Sequence, residues 1–235
     1  MDSGGNLTIG NALVTAPAFE SGNRAVGGTI TLLAGHTIGR LNPDLPPTDI
    51  YQPFDLTITG TVKATANVNL AAGGDVVVGS GANIRSDNRI TMTSGDDIIV
   101  RSGALVRAAE APLESGYGAS GDPRDTPALL SLSAGSLNPI GTPDPTNIAA
   151  IIVNGQLAAP GRAISLSGDA IQARGSGLLS RDLYADVTPP PAPGAGQLND
   201  NGALDADCVQ GNICLTNIQA TGVIAIGQGT DRPIA

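Results

Sequence analysis

Aromatic residues are almost absent from this sequence, and their absence limits the kind of core it can build. They make up 2% of the 235 positions, with no tryptophan, three tyrosines and two phenylalanines. Hydrophobic residues still reach 41%, so a core of small aliphatic side chains is expected. No stretch is long and apolar enough to predict a membrane-spanning helix.

Positive charge is also scarce. The chain has 12 Lys and Arg against 21 Asp and Glu, which gives a formal net charge of −9. Nucleic acid needs a basic stripe for its phosphates, so the composition argues against a nucleic-acid partner and against anionic membrane surfaces. An acidic exterior rich in Thr, Asn and Ser fits an exported protein that must stay soluble.

Cysteine and histidine are too few for a metal centre. Cys208 and Cys214 stand six positions apart, and they predict a disulfide in an oxidising compartment or two buried thiols in a reducing one. His36 is the only histidine, and two sulfurs do not complete a zinc tetrahedron. We therefore predict no metal and no cofactor, and we expect His36 to be a surface or turn residue.

The sequence does contain a repeat. Segments 67–88 and 89–110 align when one is moved by 22 positions. A period of this length is typical of a solenoid. The identical pairs are Gly73/Gly95, Asp75/Asp97, Val78/Val100, Ser80/Ser102, Gly81/Gly103, Ala82/Ala104 and Arg85/Arg107.

Apolar residues alternate with polar ones inside each repeat, which indicates strands with one buried face. The apolar pairs are too close for helical crossovers, so about three short strands per coil are predicted, with Val76 beneath Ile98. Successive coils then pair in parallel, as in a parallel β-helix. A meander of hairpins is the rival, since Gly73-Gly74 could form a hairpin turn, but it does not explain why the whole unit recurs in phase.

Similar segments elsewhere extend the prediction to one all-β domain over 1–235. Roughly nine coils would give a rod about 40 Å long. Because neither end shows a convincing polar cap, we expect a piece of a longer solenoid.

Four segments interrupt the pattern and are predicted to leave the sheets as loops, because proline removes a ladder donor. They are 40–53, 108–127, 138–146 and 180–207. Function often lies in such loops, so Tyr51, Tyr117 and Tyr184, each in a different insertion, are the candidate contacts to sugar or protein.

Little in the sequence predicts catalysis. Asp96 and Asp97 form the most conspicuous acid pair, but neighbours on a strand point to opposite faces, so we expect no cooperation between them and a turn role for Asp96. The string GGDVVVGSG at 73–81 lacks the aspartate series of calcium-binding nonapeptides. Glycine-rich strings such as GSGANIR lack the helix and lysine of a phosphate loop.

The segments GNLTIG, GTITLLAGHTI, NVNLAAGGDVVV and RITMTSGDDIIV resemble the repeats of filamentous haemagglutinin-type exoproteins and related β-strand-repeat adhesins of Gram-negative bacteria. The resemblance covers most of the chain outside the insertions. It implies a right-handed parallel β-helix, exported through an outer-membrane transporter by two-partner secretion or as an autotransporter passenger. The resemblance does not identify any functional residue in this chain.

Two classes of function follow. The first is a non-enzymatic structural and adhesive solenoid, secreted or on the cell surface, which forms the shaft of a fibre. Its partners would be other copies joined end to end, adjoining solenoid segments, glycans or host surface proteins. The alternative is a polysaccharide lyase or glycoside hydrolase on a β-helix, but the chain has one lysine and no evident acid cluster.

Overall fold

A computed structural model describes most of the chain as a stack of short strands. The described residues are 1–17, 19–21, 24–39, 48–108, 130–137, 148–175, 177–187, 213–220 and 224–228. Across these ranges every regular element is a β-strand. None of them contains a helix that could cross a bilayer.

The strands follow the chain in repeated sets of three, with two extra hairpins. The first two coils contain β1 (Asp2–Ser3), β2 (Leu7–Ile9), β3 (Leu13–Ala16), β4 (Phe19–Ser21), β5 (Arg24–Val26), β6 (Ile30–Ala34), β7 (His36–Gly39), β8 (Thr48–Tyr51), β9 (Leu56–Ile58) and β10 (Thr61–Ala64). The next two contain β11 (Val68–Ala72), β12 (Val76–Val78), β13 (Asn83–Ser86), β14 (Ile90–Ser94), β15 (Ile98–Val100) and β16 (Leu105–Ala108). The remainder contains β17 (Leu130–Ser133), β18 (Ala150–Val153), β19 (Gln156–Gly168), β20 (Ala170–Ala173), β21 (Gly177–Val187), β22 (Ile213–Leu215), β23 (Ile218–Ala220) and β24 (Ile224–Gln228).

Each complete coil contributes one strand to each of three sheets, and every described pairing between coils is parallel. Sheet 1 runs β1, β6, β11, β14, β17, then the second halves of β19 and β21, and β24. Sheet 2 runs β2, β9, β12, β15, β18, β20 and β22. Sheet 3 runs β3, β10, β13, β16, the first halves of β19 and β21, and β23.

This topology confirms the all-β, mostly parallel architecture and fits a β-helix or solenoid. The described strands make seven complete coils and one strand of an eighth, fewer than the nine coils expected. At about 4.8 Å per coil, the eight levels of sheet 1 span about 34 Å.

The core consists of aliphatic columns that run through all the coils. Val76 pairs with Ile98 in parallel register, as the repeat predicted. Both side chains are 0% exposed. The column containing them is Leu7, Leu56, Val76, Ile98, Ile151, Ile171 and Ile213. A period of two puts every second side chain on the inner face, so the stacked repeat buries the same positions in each coil.

The structure corrects three of the predicted insertion boundaries. Residues 180–187 are not a loop, since they belong to β21, where Leu183, Ala185 and Val187 are buried in the core. The departure at 40–53 begins earlier, because β7 already pairs with β8 as an antiparallel hairpin. Ala108 ends β16 and is buried. Residues 109–129 and 138–147 lie outside the described part.

Among the described residues, departures from the coil occur at two of the three corners. The hairpin of β7 and β8 connects sheet 1 to sheet 2. The hairpin of β4 and β5 connects sheet 3 to sheet 1. The corner between sheet 2 and sheet 3 has a short turn in every described coil, which leaves the outer surface of sheet 3 without an insertion along that border.

Candidate functional site

A line of Asp side chains, continued by one Asn, follows the corner between sheet 1 and sheet 2. The positions that immediately precede the sheet 2 strands carry Asn6, Asp55, Asp75 and Asp97 in successive coils. Because the strands are in register, these side chains stack along the rod axis. We call Asp55, Asp75 and Asp97 the carboxylate ladder, which Asn6 continues at one end.

Hydrogen bonds join each rung of the carboxylate ladder to the next coil. The backbone N–H of Asp75 donates to Oδ1 of Asp55 at 3.0 Å, and the N–H of Asp97 donates to Oδ1 of Asp75 at 3.1 Å. Below them, the N–H of Asp55 donates to Asn6 Oδ1 at 2.9 Å. Above them, the N–H of Ala150 donates to Asp97 Oδ1 at 2.8 Å. The ladder therefore satisfies backbone donors where the chain turns a corner.

Asp96 adds a third carboxylate beside two rungs of the ladder. One carboxylate oxygen from each of Asp75, Asp96 and Asp97 lies within 4.8 Å of the others. Strand alternation predicted that Asp96 and Asp97 would point apart, and this prediction was wrong. Both residues precede β15 in a turn, where alternation does not apply. The Asp96 carbonyl accepts hydrogen bonds from Ser94 Oγ and the Gly135 N–H, which agrees with a turn role.

The environment of Asp75 changes its acidity. The pKa of Asp75 is raised from 3.8 to about 6, mainly because burial disfavours the charged form. The hydrogen bond from the Asp97 N–H lowers the pKa, and repulsion from Asp96 and Asp55 adds to the rise; the value of about 6 is the net result. The three-carboxylate group can thus take up a proton in mildly acidic solution. Oxygen ligands at this separation also suit hard cations, but backbone N–H groups already occupy Oδ1 of Asp75 and Asp97.

A second polar group lies at the start of the hairpin of β7 and β8. His36 is only 7% exposed, so the expectation of a surface histidine was wrong, although it does follow a turn at Gly35. Its Nδ1 lies 2.8 Å from Oδ2 of Asp2. The ring of Tyr51 lies against it, with ring centroids 5.2 Å apart. The contact between His36 and Asp2 connects the hairpin of β7 and β8 to β1, and Tyr51 packs on the same histidine.

The candidate tyrosines do not form one site. Tyr51 packs on His36 in coil 2, whereas Tyr184 lies in β21 on the outward side of sheet 1 in coil 7. Five coil steps separate these levels, or about 24 Å. Tyr117 lies outside the described residues. Their proposed contacts to sugar or protein stay a prediction.

Cys214 occupies the outward position of β22 and is disulfide-bonded. Its neighbours Ile213 and Leu215 pack against the core. Cys208, the other cysteine of the sequence, lies outside the described part of the chain.

Sequence reasoning missed the carboxylate ladder, although a signal was present. The repeat aligns Asp75 with Asp97, and Asp55 precedes an apolar alternation as both of them do. An acidic residue recurring before the same strand predicts a stacked column. His36 and Asp2 gave no such signal, because their contact depends on how the first strand adds to the second coil.

Comparisons with known proteins identified no relative: no family model, no curated protein and no solved structure matches this chain.

Proposed function

We propose that this chain is an extracellular structural and adhesive rod, the shaft of a secreted or surface fibre, built as a right-handed parallel β-helix. Parallel crossover connections are right-handed in nearly all proteins, which supports this hand. The disulfide at Cys214 supports an oxidising location. Export through an outer-membrane transporter belongs to the same proposal and rests on the resemblance of the repeats.

The main support for this proposal is that the apolar columns are incompletely buried in the outermost complete coils. Val62 and Ile84 are 0% exposed in the middle of the rod, whereas Val14 in the first coil of the same column is only half-buried. Several apolar residues of the first and seventh coils are likewise only partly covered: Leu7, Val14, Ala16, Ile213, Leu215, Ile218 and Ala220. Another coil stacked there would bury them and pair the strand edges.

End-to-end stacking can be tested with one substitution and a matched control in β2. Leu7 faces the core column, while its neighbour Thr8 is exposed on the outside. Leu7→Lys places a charge in the surface that another copy would cover, so it should abolish concentration-dependent association. Thr8→Lys adds the same charge outside that surface and should associate like the parent chain. Sedimentation velocity and electron microscopy measure the assembled length.

A parent chain that stays monomeric at every concentration contradicts the stacking proposal. Equal association of Leu7→Lys and Thr8→Lys contradicts it as well, because the contact would then lie elsewhere. Circular dichroism of both variants establishes that each remains folded.

The raised pKa of Asp75 beside Asp96 favours a second candidate, a glycan-cleaving enzyme. Glycosidases pair two carboxylates, one of which keeps its proton at higher pH. If the chain is such an enzyme, it should release reducing ends or unsaturated products from one member of a polysaccharide panel, assayed with and without calcium. Asp75→Asn should then abolish this release, and Asp87→Asn should preserve it. If the parent chain releases no product from any member of the panel, the enzyme candidate is excluded for that panel.

A further inference from the structure

Strand β24 lies one level beyond the last complete coil. It pairs in parallel with the second half of β21, and sheets 2 and 3 have no described strand at the same level. Ile224 is in register with Leu183, which is 0% exposed in the core, yet Ile224 itself is 46% exposed. An apolar residue that belongs to a core column therefore lies open to solvent at this end of sheet 1.

At the opposite end of sheet 1, the outermost strand is shorter than the strand it covers. Strand β6 has five residues, but β1 forms register pairs with only the last two of them, through Asp2 and Ser3. The Met1 ammonium adds a hydrogen bond to the Thr31 carbonyl at 2.8 Å, and the Met1 side chain is exposed. The edge of β6 is thus covered by a short and largely exposed segment.

The pairings between coils place β24 and β6 in matching columns. Both strands have five residues. The core column that contains Ile224 is Ile30, Val68, Ile90, Leu130, Ile164, Leu183 and Ile224. A second copy displaced along the axis by seven coils would therefore place its β6 beside β24 with all five residues in register.

The same displacement joins the other two sheets. Strand β2 of the second copy would lie beside β22, and β3 beside β23, since each is the outermost described strand of its sheet. Leu7 would then meet Ile213, and Val14 would meet Ile218, in the register that their columns already have. A copy stacked in the opposite direction cannot continue the columns, because its strands would run antiparallel and two of its sheets would exchange places.

We propose that copies of this chain assemble head to tail by strand exchange, in which β24 of one copy replaces β1 of the next copy and pairs with its β6. This inference rests on the proposed end-to-end stacking and specifies its direction and its connecting strand. Strand β24 would form five register pairs where β1 forms two, and it would cover Ile224 with Ile30. The exchange breaks the contact between Asp2 and His36, so β1 competes with assembly.

The first test compares the association of the parent chain, a variant that lacks residues 1–3, and Ile224→Lys by sedimentation velocity. Removing residues 1–3 clears the edge of β6, so this variant should associate at a roughly tenfold lower concentration than the parent chain. Ile224→Lys places a charge in the junction and should abolish association. Gln219→Lys is the matched control, because it adds the same charge at an exposed position of β23 and should associate like the parent chain.

A cross-link tests the direction of assembly without changing the core. Thr31 and Ala225 belong to one column of sheet 1. The proposed junction places them on paired strands about 4.8 Å apart, a distance that a disulfide can span. A mixture of Thr31→Cys and Ala225→Cys chains should therefore give a cross-linked dimer on mild oxidation. Thr91→Cys, in the same column but in the middle of the rod, should give none with Ala225→Cys.

Electron microscopy of the assembled chain should show an axial repeat of about 34 Å per copy, which corresponds to seven coils at about 4.8 Å each. Assembly should continue beyond dimers, because a head-to-tail contact leaves one free end on each side. Circular dichroism establishes that every variant is folded.

The outcomes separate this inference from the proposed stacking. If the parent chain and the variant without residues 1–3 both stay monomeric at every concentration, the stacking itself is refuted. If Ile224→Lys associates like the parent chain, or removal of residues 1–3 does not strengthen association, only the strand exchange is refuted. Assembly that stops at dimers, or equal cross-linking of Thr31→Cys and Thr91→Cys to Ala225→Cys, refutes the head-to-tail direction.

Discussion

At the scale of single residues, Asp75 shows a conflict between hydrogen bonding and electrostatics. Its Oδ1 accepts the Asp97 N–H, which stabilises the corner, but its burial disfavours the charge. The pKa is about 6 when the chain is folded, above the ordinary 3.8. Between these two pH values the folded chain binds more protons than the unfolded chain. Stability contributed by this group is therefore fully present below about pH 4 and is lost as pH rises through about 6.

Asp75→Asn should stabilise the protein at pH 7, since it retains a side-chain oxygen acceptor and removes the buried charge. The gain should shrink as the pH is lowered toward 4, where the parent carboxyl is itself neutral. Urea denaturation at pH 4, 5, 6 and 7 measures the free energy of unfolding for both chains.

Asp87→Asn is the control for this measurement, because Asp87 lies in the turn after β13 and outside the carboxylate ladder. It should keep the pH dependence of the parent. If Asp75→Asn is no more stable than the parent at pH 7, buried charge does not limit stability at this corner.

At the scale of elements, tight turns set how closely the coils approach. Gly95 lies over Gly73 in the coil below, and a Cβ added to Gly95 would overlap the Gly73 carbonyl oxygen and lie 2.9 Å from that of Leu137. Both neighbours are backbone atoms, which cannot rotate away. The corner between β14 and β15 therefore requires glycine for spacing.

Gly95→Ala should reduce the free energy of unfolding by roughly 1–3 kcal/mol, the usual cost of overpacking. Gly10→Ala is the comparison, since a Cβ there has no atom within 4 Å. Thermal and urea denaturation of the two variants gives the difference. Equal stability of both would mean that the coils separate at this corner without cost.

At the same scale, some strands and turns could be predicted from the sequence and others could not. The alternation of apolar and polar residues from Val68 to Val106 predicted the strands, the side chains that face the core and the pairing register. A shift of the register by one residue would turn the apolar side chains toward solvent, so only one register buries them. The same pattern occurs at Leu183, Ala185 and Val187, but the proline-rich segment that follows hid it. Asp96 and Asp97 were misread for the opposite reason, since a strand rule was applied to a turn.

At the scale of the whole molecule, the described strands of each coil pair only with strands of the adjacent coils, so stability should vary along the rod. Middle coils are covered on both sides, with Ile84 and Val106 0% exposed, while Val14 in the first coil is half-buried. Stable folding therefore depends on stacking rather than on any single coil.

Amide hydrogen exchange should be slowest in β10, β13 and β16 and faster in β3 and β23, the outermost strands of sheet 3. Ile84→Ala should accelerate exchange throughout the stack, whereas Val14→Ala should affect mainly the first coil. Uniform protection from β3 to β23 would contradict this, because it would mean that all the coils open as one unit. The measurement should be made at a protein concentration where the chain is monomeric.

The sequence by itself determined the coil. A 22-residue repeat whose strands alternate apolar and polar residues buries its apolar positions in phase when the units stack, and this stacking pairs Val76 with Ile98. Tertiary structure alone decided which polar groups meet, such as His36 with Asp2 and Asp97 with the N–H of Ala150. These partners are 34 and 53 positions apart, and their distance depends on turn and insertion lengths that no local pattern encodes.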